Sequence, residues 1–147
     1  MDMVQEARSE VPAISAKETA QRREQDSNTL IVDVREPEGP AVDGGIPGAL
    51  NVPLGELAIK ADQELPEDMR DSRLQDRSQP IITTCAVGGQ AALAAKTLQD
   101  MGFTNVAFID GGFKEWTEAG LPTEGPSGSK AGATPTDAGE EGLLQAT

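Results

Sequence analysis

Short apolar runs alternating with helical segments across residues 11–124 predict an α/β fold, a parallel sheet covered by helices on both faces. Three runs carry the prediction: Thr29-Leu30-Ile31-Val32-Asp33-Val34, Pro80-Ile81-Ile82-Thr83-Thr84-Cys85 and Asn105-Val106-Ala107-Phe108-Ile109. Each has strand length and is nearly continuous in apolar or β-branched residues, the pattern of a strand buried on both faces. Between the last two runs, Ala91, Leu93, Ala94, Ala95, Leu98 and Met101 recur at helical spacing, and Gly102 follows as a stop.

The other elements follow in order. Residues 1–10 are polar and read as a loose lead-in. Val11-Pro12-Ala13-Ile14 suits a short strand. Ser15 with Glu18 three residues on is a capping box, predicting a helix from Ala16 to Glu24. Residues 36–48 are rich in Pro and Gly and read as loop. Ala49 to Val52 suits a short strand closed by Pro53. Leu54, Leu57, Ala58 and Ala61 predict a helix over 54–65. Residues 66–79 are charged and read as a helical turn or loop, and the acidic run over 63–71 as a solvated face. A short helix is expected over Phe113 to Ala119, stopped by Gly120-Leu121-Pro122. The segment 125–147 changes to Gly, Ser, Ala, Thr and Glu and reads as a disordered acidic tail.

The composition excludes several function classes. A chain of 147 residues suits one domain with tails. A net charge of −13 argues against electrostatic binding to nucleic acid or to an anionic membrane surface. The chain contains no histidine, which removes His-based metal sites, Ser-His-Asp triads and Cys-His dyads. No metal or cofactor is expected. The one cysteine cannot form an intramolecular disulfide and fits a reducing compartment. The N-terminus has no apolar run of signal-peptide type, and no stretch approaches the ~20 apolar residues of a membrane span. The expectation is a soluble, cytoplasmic monomer.

The segment with the most chemistry is Cys85-Ala86-Val87-Gly88-Gly89-Gln90. It places a thiol at the C-terminal end of an inner strand, then a Gly-containing loop, then a helix start. Ligands of open α/β sheets bind at that edge. Backbone N–H groups of residues 86–90 and the positive end of the helix can converge on an anionic sulfur. The two glycines are expected to let the backbone approach it. The competing reading is that Cys85 is a small buried hydrophobe, as free cysteines often are. The order strand, cysteine, Gly loop, helix favours the nucleophile.

Four segments resemble the rhodanese family across residues 11–122. Asp33-Val34-Arg35-Glu36 is similar to its strand-end Asp-x-Arg. Gly44-Gly45-Ile46-Pro47-Gly48-Ala49-Leu50-Asn51-Val52-Pro53 is similar to its Gly-His-Ile-Pro-Gly-Ala-x-Asn-x-Pro segment. Cys85 to Gln90 resembles the Cys-x-x-Gly-x-Arg active loop. Gly111-Gly112-Phe113-Lys114-Glu115-Trp116 with Gly120-Leu121-Pro122 resembles the C-terminal Gly-Gly-x-x-x-Trp signature and its Gly-x-Pro. The resemblance implies a rhodanese-like five-stranded parallel sheet flanked by helices on both faces. It also implies a sulfurtransferase with a persulfide intermediate on Cys85. The implied partners are a small sulfur donor, thiosulfate or a persulfide, and an acceptor that is a thiol, cyanide or a protein.

Two positions depart from the family pattern. Gly45 stands where His is usual, and Gln90 where Arg is frequent. Gln90 donates hydrogen bonds but cannot neutralise a dianion such as thiosulfate. Related phosphatases use a longer Cys-x5-Arg loop, whereas this loop reaches Gln90 without an Arg. The binding loop is therefore read as Ala86, Val87, Gly88, Gly89 and Gln90 around catalytic Cys85. Asp33 and Arg35 either touch that loop from the next strand end or are buried charges satisfied by backbone partners. Phe113 and Trp116 are expected to pack the last helix on the sheet. A second functional reading, a non-catalytic or partner-dependent sulfur-carrier or binding module, draws on the missing Arg. The retained thiol and Gly loop oppose it.

Overall fold

The computed structural model describes residues 2–125. Five strands form one all-parallel sheet in the order β1-β5-β4-β2-β3: β1 (Ala13–Ile14), β2 (Leu30–Asp33), β3 (Leu50–Asn51), β4 (Ile81–Thr84) and β5 (Val106–Ile109). The strand that leads to Cys85 is central. Ile82 of β4 is in register with Ile31 of β2 and with Ala107 of β5.

Alternate side chains fill two cores, one per face, as the period of two requires. On one face Val32, Ile81 and Phe108 pack against α1 (Met3–Glu10), α4 (Leu57–Ala61) and α5 (Gly89–Asp100). On the other, Ile31, Ile82, Ala107 and Ile109 pack with Ala16 and Ala20 of α2 (Ala16–Gln25) and with Phe113 and Trp116 of α6 (Gly112–Glu118). Each large aliphatic side chain buried this way contributes about 1.5–3 kcal/mol. α5 presents Ala91, Ala92, Ala94 and Ala95, all fully buried, so its backbone lies close to the sheet. It ends in a Schellman arrangement: Gly102, at φ +107°, follows the last turn, and the Phe103 N–H donates to the Leu98 carbonyl at 3.0 Å.

Three segments differ from the sequence reading. The lead-in is helical: Asp2 caps α1 by accepting from the Gln5 N–H at 2.9 Å, and Ala7 and Val11 are buried in the first core. The stripe that buries α1 is one small residue wide, so the polar composition of residues 1–10 concealed it. Within the 36–48 segment, Glu38–Asp43 forms the short helix α3. Its Pro40 lies in the first turn, where the missing N–H would have no helical partner anyway. The helix expected over 54–65 is shorter, a 3₁₀ turn at Leu54–Glu56 followed by α4. The Asp62 carboxylate stops it by accepting from the Glu64 and Leu65 N–H groups. Residues 66–79 form two 3₁₀ turns, Glu67–Met69 and Ser72–Leu74. Apart from Gly125, the tail expected over 125–147 lies outside the described residues. Among the described residues, no helix is long and apolar enough to cross a membrane.

Candidate functional site

Cys85 follows β4 directly and is buried, with 2 % of its surface exposed. Its Sγ accepts from the Gly88 N–H at 3.0 Å and from the Ala91 N–H at 3.3 Å. α5 runs from Gly89, so Ala91 belongs to its first turn, where four N–H groups lack helical partners. Sulfur takes the Ala91 amide. The amides of Gly89 and Gln90 remain at the same positive helix end. Sequence reading placed the cradle in residues 86–90 and missed Ala91. Only the turn of the helix brings the amide six residues after the cysteine back to the sulfur.

The loop keeps this shape because its carbonyls are held elsewhere. The Phe113 N–H donates to the Cys85 carbonyl at 2.7 Å, and the Lys114 N–H to the Ala86 carbonyl at 3.1 Å. With the carbonyls directed at the start of α6, amides are left to face the sulfur. Two glycines are required. Gly88 has φ +113°, and a Cβ there would stand 2.2 Å from the Asp110 carbonyl oxygen. Gly112 has φ +66°, and its Cβ would meet the Cys85 and Ala86 carbonyl oxygens at 2.6 and 2.7 Å. Gly89, by contrast, has open space where a Cβ would be. Of the two adjacent loop glycines, Gly88 alone is needed for close approach. Ala86, Val87 and Gln90 are exposed on the rim, Val87 by 66 %.

Asp33 and Arg35 form a buried ion pair. Arg35 Nε donates to Asp33 Oδ1 at 3.0 Å and Nη2 to Asp33 Oδ2 at 2.7 Å. Nη2 also donates to the Gly44 carbonyl at 2.9 Å. Asn51 Nδ2 donates to the carbonyls of both residues, at 2.9 Å each. These contacts brace the segment around α3. Arg35 reaches the cysteine loop through one neighbour: its guanidinium stacks 4.5 Å from the centre of the Phe113 ring, and Phe113 is the residue whose N–H holds the Cys85 carbonyl. Gly45 exchanges two backbone hydrogen bonds with Glu124, at 2.9 and 2.8 Å, which ties the described C-terminal end beside this segment. Trp116 is buried, and its Nε1 donates to the Pro122 carbonyl at 2.7 Å.

One cationic residue escaped the sequence reading. Arg8 of α1 pairs with Asp110, which follows β5, and stacks 5.2 Å from the centre of the Phe108 ring. Its Nη1 lies 3.5 Å from where a Gly88 Cβ would stand. No local motif announces a contact between the N-terminal helix and the cysteine loop.

Comparison with known proteins gives this geometry a family. The chain is 35 % identical over 94 residues to thiosulfate sulfurtransferase 16, chloroplastic, of Arabidopsis thaliana, a match covering 63 % of this chain and 78 % of that protein. Several other curated relatives are longer: the match covers 52 % and 57 % of two of them and 34 % of a third. Among solved structures, a Rhodopseudomonas palustris protein of unknown function, described as a possible tyrosine phosphatase, superposes with a TM-score of 0.77 at 36 % identity. That match covers 83 % of this chain and 91 % of the other. The human single-domain sulfurtransferase superposes with a TM-score of 0.62 at 27 % identity, covering 74 % of this chain and 96 % of that one. The family description "Rhodanese-like domain" matches residues 15–119, a span that holds the whole sheet but β1, the Cys85 loop and the Asp33–Arg35 pair, and the chain belongs to the rhodanese-like family.

Proposed function

We propose that this protein is a sulfurtransferase that carries sulfane sulfur on Cys85 as a persulfide. One observation carries the reading: Sγ sits on two backbone N–H groups at the mouth of α5, with further amides of the first turn beside it. An anionic sulfur is stabilised there by fixed dipoles, without a metal or cofactor. Sulfurtransferases among the relatives support the same chemistry.

The step balances simply. The Cys85 thiolate attacks the outer sulfur of thiosulfate, and the sulfur–sulfur bond breaks with its electron pair on departing sulfite. The product is Cys85–S–S⁻. An acceptor then attacks the terminal sulfur and regenerates the thiolate. Cyanide leaves as thiocyanate, and a thiol acceptor leaves as its persulfide. In this reading the Gly88 and Ala91 amides hold Sγ, and the remaining first-turn amides bind the terminal sulfur. Asp33 and Arg35 act as positioning residues through Phe113.

The phosphatase description of the Rhodopseudomonas relative supplies a second reading. This loop has no Arg at its end to clamp a phosphoryl group, and that weighs against it. Intact mass after incubation with thiosulfate or a persulfide donor decides between the readings. Gain of one sulfur atom, lost in the Cys85→Ser variant, is expected. Turnover of p-nitrophenyl phosphate without sulfur uptake would overturn the proposal.

A further inference from the structure

We propose that Arg8 is a donor-specificity residue of this site: its guanidinium, carried on α1, binds the oxyanion end of an anionic sulfur donor at the rim of the Cys85 loop. The inference rests on the sulfur-transfer reading above. It concerns a residue that precedes the span matching the family, residues 15–119.

An anionic donor approaching a chain of net charge −13 needs local positive charge. Position 90 supplies none, being Gln. Arg35 is buried and committed to Asp33, the Gly44 carbonyl and the Phe113 ring. Lys114, whose N–H holds the Ala86 carbonyl, directs its side chain to Glu118. Arg8 is different. Its Nη1 occupies the space beside Gly88, 3.5 Å from the missing Cβ, and the Gly88 N–H is a direct donor to Sγ. Its side chain is 39 % exposed, so the guanidinium is open to solvent.

The guanidinium is held for this task without being used up. Nη2 is on Asp110, and the plane stacks on Phe108. A guanidinium has five N–H donors in a planar fork, so Nη1 can turn to a sulfonate oxygen while Nη2 keeps its carboxylate. α1 has anchors besides this pair. Ala7 and Val11 are buried in the first core, and Glu10 pairs with Lys96 of α5 at 3.2 Å. An exposed ion pair such as Arg8–Asp110 adds little to stability. Asp110, however, puts a negative charge beside the same rim and opposes the donor. A structural role and a donor-binding role therefore predict opposite signs for Asp110→Asn.

The test uses the full chain with two donors of the same outer sulfur but different charge, dianionic thiosulfate and monoanionic methanethiosulfonate. Thiocyanate formation is followed in the wild type and in Arg8→Gln, Arg8→Lys and Asp110→Asn, each with its melting temperature. Arg8→Gln is expected to lose about tenfold in kcat/KM for thiosulfate, mainly through KM, and distinctly less for methanethiosulfonate. Arg8→Lys should recover part of the loss, and Asp110→Asn should raise thiosulfate turnover above the wild type. Equal values for wild type and Arg8→Gln would overturn the inference and leave sulfur transfer standing. A parallel fall of activity and melting temperature in Arg8→Gln and Asp110→Asn would also overturn it, in favour of a structural pair. A wild type that turns over neither donor, with no sulfur gained by Cys85, would overturn the sulfur-transfer reading and this inference together.

Discussion

The amide of Phe113 and the carbonyl of Cys85, 2.7 Å apart, join the helix after β5 to the loop after β4. This bond engages the cysteine's own carbonyl at the start of α6. It depends on Gly112, whose missing side chain lets the two backbones meet. The sulfur site is thus the product of two adjacent strand ends, not of one loop.

Replacing Cys85 by Ser is expected to abolish sulfur uptake and thiocyanate production while the fold persists. Serine is nearly isosteric, and its hydroxyl can accept from the same two amides, so the stability cost should stay within about 1–2 kcal/mol. Circular dichroism with the cyanide assay reads both. Activity in the folded variant would remove Cys85 from the chemistry.

The two adjacent loop glycines should respond in opposite ways. Gly88→Ala meets the Asp110 carbonyl and forces a left-handed backbone on alanine, costing about 1–3 kcal/mol from the conformation alone, before the clash. Its amide should leave Sγ, and transfer should fall steeply. Gly89→Ala has open space in the first turn of α5 and should be neutral or stabilising by about 0.4–1 kcal/mol. Chemical denaturation of both variants checks the ordering.

Arg35→Met leaves the buried Asp33 carboxylate with the backbone N–H of residue 35 but without its counter-charge, and should cost about 3–5 kcal/mol. Adding Asp33→Asn should recover part of that cost, because no charge then remains buried. A double-mutant cycle in urea gives the coupling directly. If the two losses simply add, the two side chains are not energetically coupled and the buried ion pair does not contribute as described.

Gln90→Arg should increase kcat/KM for thiosulfate, by roughly tenfold if one charge-assisted hydrogen bond worth about 1.5–3 kcal/mol is partly realised. The gain should shrink as salt rises, since the rim is exposed. It should also make the protein less sensitive to Arg8→Gln. Equal turnover at low and high salt would mean that charge at the rim does not limit the donor.

The inner sheet was legible for a plain reason. β2, β4 and β5 are covered on both faces, so their sequences are nearly continuous in apolar residues and bounded by turn formers. Cys85 was legible because it ends such a run and precedes glycines. What stayed hidden depends on pairs distant in sequence. α1 buries little beyond Ala7 on its inner side, which no periodicity registers. The Gly45–Glu124 bridge is backbone only, and the Arg8–Asp110 pair joins residues at opposite ends of the domain. The requirement for glycine at 112 comes from a neighbouring loop's carbonyls, which local sequence does not reveal.

β4 is hydrogen-bonded on both sides, to β2 and to β5, whereas β1 and β3 are two-residue edges. Amide exchange should therefore separate them. The edge strands can open alone, but the amides of Ile81 to Thr84 can exchange only when most of the sheet opens. Cys85 thus follows the strand expected to open last. A fluctuation that exposes Cys85 from beneath the sheet is therefore expected to be as rare as opening of the sheet itself, and reagents that modify the thiol should reach it from the loop side.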